Sequence, residues 1–181
     1  MKKYSYVSEL EKLCNDPFKR GDVSFLRRGL MSSNGVDPIM YKIIFSLINK
    51  TRKNDLKEAN ILASERIFPV TCQLSALFTI HPSVEEEYSL DHNFGHHMRF
   101  ASGEGVEAFE RRFTTILKSK QEDLFQQLKH AIGLVGSSKN STKINYHSLL
   151  LAMINWNDPD QWVQRKWAFG FWGYQINSEE N

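Results

Sequence analysis

The sequence predicts an all-α protein, a single-chain bundle of about eight helices. Three observations carry this. Apolar residues recur at helical spacing in segment after segment, and no run alternates apolar and polar as a half-buried strand does. Helix-opening devices, Asp-Pro and Asn, stand in front of the apolar runs. At 181 residues the chain is most simply one domain, able to bury roughly 70% of its unfolded surface without help from disulfides or metals. Residues 1–100 and 104–177 are its candidate N- and C-terminal lobes.

Asp22 is placed to cap a helix that carries Val23, Leu26 and Leu30 on one side. Asp37-Pro38 opens the segment "IMYKIIFSLI", which is apolar nearly all round and is expected to be a central buried helix. Residues 55 to 67 form a mixed helix, and Pro69 starts another that runs to about His81. From Pro82 to Gly105 the pattern weakens to an irregular connector with room for one short helix. In "VEAFERRFTTIL", Val106, Phe109, Phe113, Ile116 and Leu117 share a face, Arg111 and Lys118 point away, and Arg112 lies on the flank. In "EDLFQQLKHAIGLV", Leu124, Leu128, Ala131, Ile132 and Val135 line up, leaving Lys129 and His130 outside. The polar "GSSKNST" is expected as a mobile linker, Asn145 as the cap of "YHSLLLAMI", and Asp158-Pro159 as the start of the last helix.

That last helix, within "QWVQRKWAFGFWGY", separates into two faces when wound. Val163, Trp167, Gly170, Phe171 and Tyr174 form a wide apolar stripe, expected as core. Trp162, Arg165, Lys166, Phe169 and Trp172 form a second face in which the basic pair is framed by aromatics. From the pattern alone that face admits three uses: basic stems covering rings at a surface, a protein-docking patch, or contact with nucleic acid.

A formal charge of +2 is too small for a histone-like polyanion binder, so any nucleic-acid site must come from charge segregated onto one face. Cys14 and Cys72 are far apart in sequence and are expected as reduced thiols. The opening "MKKYSYVSELEKLC" lacks the apolar region and cleavage site of a signal peptide, and the longest apolar-dominated run, Ile39 to Ile48, is too short to span a bilayer. The expectation is a cytoplasmic protein without membrane contact.

One cluster could suggest metal chemistry: His81, His92, His96 and His97 beside Asp91 and three glutamates. His92 and His96 are four apart, but Gly95 lies between them and no Glu follows His92 as in the zinc-protease motif. Gly103-Glu104-Gly105 follows no strand and is not a dinucleotide loop. The histidine cluster is therefore expected as a solvated polar connector and not as a metal site, and no Ser-His-Asp set is identifiable from sequence order.

The segments "FGHHMRFASGEGVEAFERRFTTIL", "EDLFQQLKHAIGLV" and "INYHSLLLAMINWNDPDQWVQRKWAFGFWG", in this order and spacing, resemble the CasB family, the small subunit of the type I-E CRISPR Cascade complex. The N-terminal "GDVSFLRRGL" is similar to that family's early leucine-arginine-arginine helix, and the resemblance runs from about residue 18 to residue 173. Where the family commonly carries an arginine after the tryptophan-alanine pair, this chain has Phe169; where it carries an acidic residue in the leucine-rich helix, this chain has Ala152 or Met153.

The resemblance implies an all-α subunit without catalytic activity or cofactor. Its implied partners are the CRISPR RNA and target DNA, the displaced single strand, the backbone and large subunits of the complex, and a second copy of itself. The positions that match as nucleic-acid contacts are Arg27 and Arg28, Arg111 and Arg112, and Arg165 and Lys166, with Arg99 and Lys129 as weaker candidates. Arg111 is the expected surface contact of its pair and Arg112 the expected structural one. Trp162, Phe169 and Trp172 are candidate partner-binding residues. A helical adaptor that only docks other proteins is the alternative.

Overall fold

A computed structural model describes residues 4–82, 92–103 and 105–173. Among the described residues there are ten α-helices, joined by turns and three short 3-10 segments, and no strand. The chain divides into two compact units, residues 2–83 and 84–181.

The N-terminal unit holds α1 (Ser5–Asn15), α2 (Arg20–Arg27), α3 (Tyr41–Asn54), α4 (Leu56–Ala63) and α5 (Phe68–Phe78). Its central helix is α5, in which Val70, Thr71, Cys72 and every residue from Leu74 to Phe78 are buried. The expected central helix, α3, is instead amphipathic: Ile43, Ile44, Leu47, Ile48 and Thr51 face inward while Phe45 stays 45% exposed. Phe45 stacks on Phe68 at 4.8 Å, a surface contact that gives an apolar residue a partner without a core position. Asp37 does cap as its sequence predicts, accepting from the Ile39 N–H at 3.0 Å ahead of Pro38. Asp22 does not. It sits inside the first turn of α2, where its charge favours the helix N-terminus and lies 3.6 Å from Lys19.

Two buried polar ties hold α1 in place. Glu58 of α4 is 2% exposed, and its carboxylate accepts from the backbone N–H of Ser5 at 3.1 Å and of Tyr6 at 2.8 Å. These are donors that a helix start leaves unsatisfied, so Glu58 caps α1 from another helix. The hydroxyl of Ser75 donates to Thr71 O, which leaves its oxygen to accept from the Tyr6 hydroxyl at 2.7 Å. Burial pushes the Tyr6 phenol well above its ordinary pKa, although the Ser75 bond opposes this.

The C-terminal unit holds α6 (Phe94–Ser102), α7 (Val106–Leu117), α8 (Gln121–Ser137), α9 (Tyr146–Ile154) and α10 (Trp162–Trp172). The apolar stripe of α8 is buried as its spacing predicts, and Asn145 caps α9 by accepting from the Ser148 N–H at 2.9 Å. The polar segment after α8, expected as a mobile linker, is fastened to α6. Ser138 Oγ donates to Ala101 O, Thr142 Oγ1 bonds His97 Nδ1 at 3.1 Å, and the Asn145 N–H donates to His97 Nε2 at 3.0 Å. Loop composition alone could not reveal these ties, because they depend on a helix more than thirty residues upstream.

Candidate nucleic-acid interface

The basic face of α10 begins with an irregular entry. Asp158-Pro159 does not start the helix; Asp158 accepts from the Asp160 N–H at 3.0 Å in a local turn, and Gln161 takes a left-handed conformation at φ 50°. The helix starts only at Trp162. The Arg165 guanidinium donates back to Asp160 O, tying the turn to the first exposed cation of the helix.

The inner stripe of α10 is built as predicted. Val163, Trp167, Gly170 and Phe171 are buried, Trp167 packs on Trp156 at 5.1 Å and on Phe94 at 5.2 Å, and Phe171 stacks on Phe113 at 4.5 Å. Tyr174 lies outside the described residues. The second face resolves into unequal parts. Arg165, Lys166 and Phe169 are exposed, Phe169 to 75%. Trp162 and Trp172 are half-buried, and Trp172 donates from Nε1 to Glu110 Oε1 at 3.0 Å, fastening α10 to α7.

What seats α10 is a glycine-lined crossing with α6. A Cβ added at Gly95 would fall on the Trp167 carbonyl oxygen, and one at Gly170 would strike Asn93 and the His96 ring. Gly95 therefore admits the α10 backbone, and Gly170 admits the Asn93 and His96 side chains. Asn93 occupies the crossing, bonded through its side-chain oxygen, its side-chain nitrogen and its backbone N–H. Its Oδ1 accepts from the Gly95 N–H at 2.8 Å, its N–H donates to His96 Nδ1 at 3.3 Å, and its Nδ2 donates to Lys166 O at 2.9 Å. The capping box on α6 thus also holds the backbone beneath the basic pair. The connector expected over residues 82 to 105 contains the helix on which the α10 face depends. Sequence reasoning missed Asn93 and the close approach at Gly95 and Gly170; Asn93 before Phe94 was the available N-cap signal.

Of the remaining predicted contacts, Arg111 and Arg112 are both exposed on α7, so exposure does not separate the expected surface contact from the expected structural residue. Only one side of that helix is covered, and Phe109, Phe113 and Ile116 are enough to cover it. Arg27 and Arg28 are exposed in the N-terminal unit, with Arg28 Nε 3.9 Å from Asp37, a loose surface pair worth little. Arg99 is half-buried and donates to Ser102 Oγ at 3.1 Å on its own helix, and Lys129 is half-buried. Among the described residues, Arg27, Arg111, Arg112, Arg165 and Lys166 form no ion pair. The C-terminal unit therefore presents two basic pairs on α7 and α10, joined by the Phe113–Phe171 and Trp172–Glu110 contacts.

Two of the clustered histidines, His96 and His97, have structural roles. His96 closes the α6 capping box, His97 ties α6 to the loop before α9, and the His92 and His96 rings stand 6.0 Å apart. Among the described residues no three of His, Cys, Asp and Glu converge as a metal-ligand set; Asp91 and the glutamates at 85–87 lie outside them. Cys14 and Cys72 are free thiols, and burial pushes them up to about 11 and about 12, with Arg27 pulling Cys14 back. Among the described residues no helix is long and apolar enough to cross a membrane.

The family model described as CRISPR-associated protein Cse2 matches residues 22–172. The chain belongs to the Cse2 family. A curated relative, the CRISPR-associated protein Cse2 of Thermus thermophilus, is 27% identical over 93 residues, which cover 50% of this chain and 52% of the relative. The chain thus matches about half the length of that Cse2 protein. Among solved structures, M. ruber CasB shares the fold at a TM-score of 0.69 and 18% identity, covering 98% of each chain. A Cse2-family CRISPR-associated protein from Thermus thermophilus does so at 0.68 and 18%, covering 93% of this chain and 96% of the other. These findings bear out the all-α fold and the resemblance to CasB read from the sequence.

Proposed function

We propose that this Cse2-family chain is a non-enzymatic small subunit of an RNA-guided Cascade complex in the cytoplasm, and that its basic faces hold the DNA strand displaced when guide RNA pairs with target. Its partners in this role are the guide RNA and target DNA, the backbone and large subunits, and a second copy of the chain. The supporting observation is the arrangement on α7 and α10: Arg111, Arg112, Arg165 and Lys166 are exposed, belong to one unit, and are not neutralised by carboxylates among the described residues.

A net charge of +2 gives weak long-range attraction, so binding must come from local cations that release counterions from phosphates. Exchanging a DNA duplex for an RNA–DNA hybrid is nearly balanced in free energy, so modest contacts to the freed strand tip it. Such a subunit needs no nucleophile, base or metal.

Binding of the purified chain to a labelled single-stranded oligonucleotide, followed against salt, tests this. Each phosphate contact contributes about −0.7 to the slope of log K against log salt. The double variant Arg111→Ala/Arg112→Ala should make the slope shallower by roughly 1.4 without changing the circular dichroism. An unchanged slope would remove α7 from the interface.

A further inference from the structure

We infer that Phe169 is a base-stacking platform, so that α10 grips a single strand by its bases as well as by its phosphates. This rests on the strand-binding reading above and adds a residue and a ligand chemistry to it. Among the described residues of the C-terminal unit, Phe169 is the most exposed large apolar side chain, at 75%, against 44% for Phe100. No ring packs on it among the described residues. Gly173, one turn further on, has no side chain to cover it.

The ring is held outward by its neighbours. Gly170 and Phe171, the next residues along, are locked into the Asn93–His96 crossing and the Phe113 stack, so α10 has no freedom to rotate Phe169 inward. Arg165 and Lys166 lie four and three residues earlier, on the same side of the helix. A lone ring beside two cations is complementary to a ligand that alternates anionic groups with flat aromatic faces. Single-stranded nucleic acid is such a ligand; in a duplex the base faces are already occupied by one another. Stacking on an aromatic side chain tolerates any base, which suits a site that must accept whatever sequence is displaced.

The experiment compares binding of the purified chain to an oligothymidylate and to an abasic oligonucleotide of equal length and charge. The wild type should prefer the thymidylate by about fivefold or more. Phe169→Leu should lose that preference while keeping the abasic affinity, and Phe169→Tyr should retain it. Because the side chain is exposed, the melting temperature of each variant should match the wild type. If the wild type binds both oligonucleotides equally, or Phe169→Leu keeps the full preference, the stacking role is overturned and strand binding stands. If the wild type binds neither, the strand-binding reading fails and this inference with it. If Phe169→Leu binds both like the wild type but no longer enters the reconstituted complex, the ring belongs to a protein neighbour and the inference is wrong.

Discussion

Replacing Gly95 by alanine tests the α6–α10 crossing, because a helical glycine is ordinarily improved by that change. Alanine in place of glycine stabilises a helix by roughly 0.5–1 kcal/mol through lower backbone entropy in the unfolded chain. Gly133 shows the ordinary case: it lies inside α8, and an added Cβ would meet nothing within 4 Å. At Gly95 the same methyl lands on the Trp167 carbonyl oxygen, which is backbone and cannot swing aside. The helices must separate, at an overpacking cost of about 1–3 kcal/mol or more. Separation also stretches the Asn93 Nδ2 bond to Lys166 O, now 2.9 Å. The expected net effect is a loss of about 1–2 kcal/mol for Gly95→Ala against a gain below about 1 kcal/mol for Gly133→Ala. All four tryptophans, at 156, 162, 167 and 172, lie in the C-terminal unit, so tryptophan fluorescence during thermal unfolding reports on that unit. For a chain of this size each kcal/mol moves the midpoint by about 2–4 °C. Midpoints that rise together for both variants would refute the close crossing.

Glu58→Ala should destabilise the N-terminal unit by roughly 1–3 kcal/mol, since two α1 amides lose a buried charged acceptor, and amide exchange at Ser5 and Tyr6 should accelerate. Gln161→Gly should stabilise by about 1 kcal/mol, read as a raised urea midpoint, because only glycine takes the left-handed entry to α10 without a side-chain penalty. The two thiols give a pH dependence with a definite sign. Their folded pKa values are raised above the ordinary thiol value of about 8.5, so the stability they contribute is complete below that pH. It is lost as pH rises through about 11 for Cys14 and about 12 for Cys72. Native protein should accordingly react slowly with a thiol reagent at about pH 8, and rapid labelling of Cys72 would contradict its burial.

The parts of the structure legible in the sequence were those set by local spacing. The α8 stripe and the described part of the α10 stripe repeat at helical period and are buried as their period predicts, while on α7 Phe109, Phe113 and Ile116 are buried and Val106 and Leu117, at the helix ends, are only half-buried. Apolar content without direction misled: "IMYKIIFSLI" is rich enough for a core helix, yet α5, with Thr71 and Ser75 satisfied by helix carbonyls, takes the centre. The seat of the candidate interface was not legible. Asn93, Gly95 and Gly170 matter through a contact between segments more than seventy residues apart, and no local pattern encodes that pairing. Arg111 and Arg112 show a second limit, since the helical wheel puts one opposite the stripe and the other on its flank, yet both are exposed.

The most direct measurement is the rate of R-loop formation by a complex reconstituted with guide RNA and either the wild-type chain or the triple variant Arg27→Ala/Arg111→Ala/Arg165→Ala. The variant should fold with unchanged helical content and enter the complex, because all three side chains are exposed, yet open target DNA more slowly and with a weaker response to salt. R-loops forming at the wild-type rate would show that these basic faces do not hold the displaced strand.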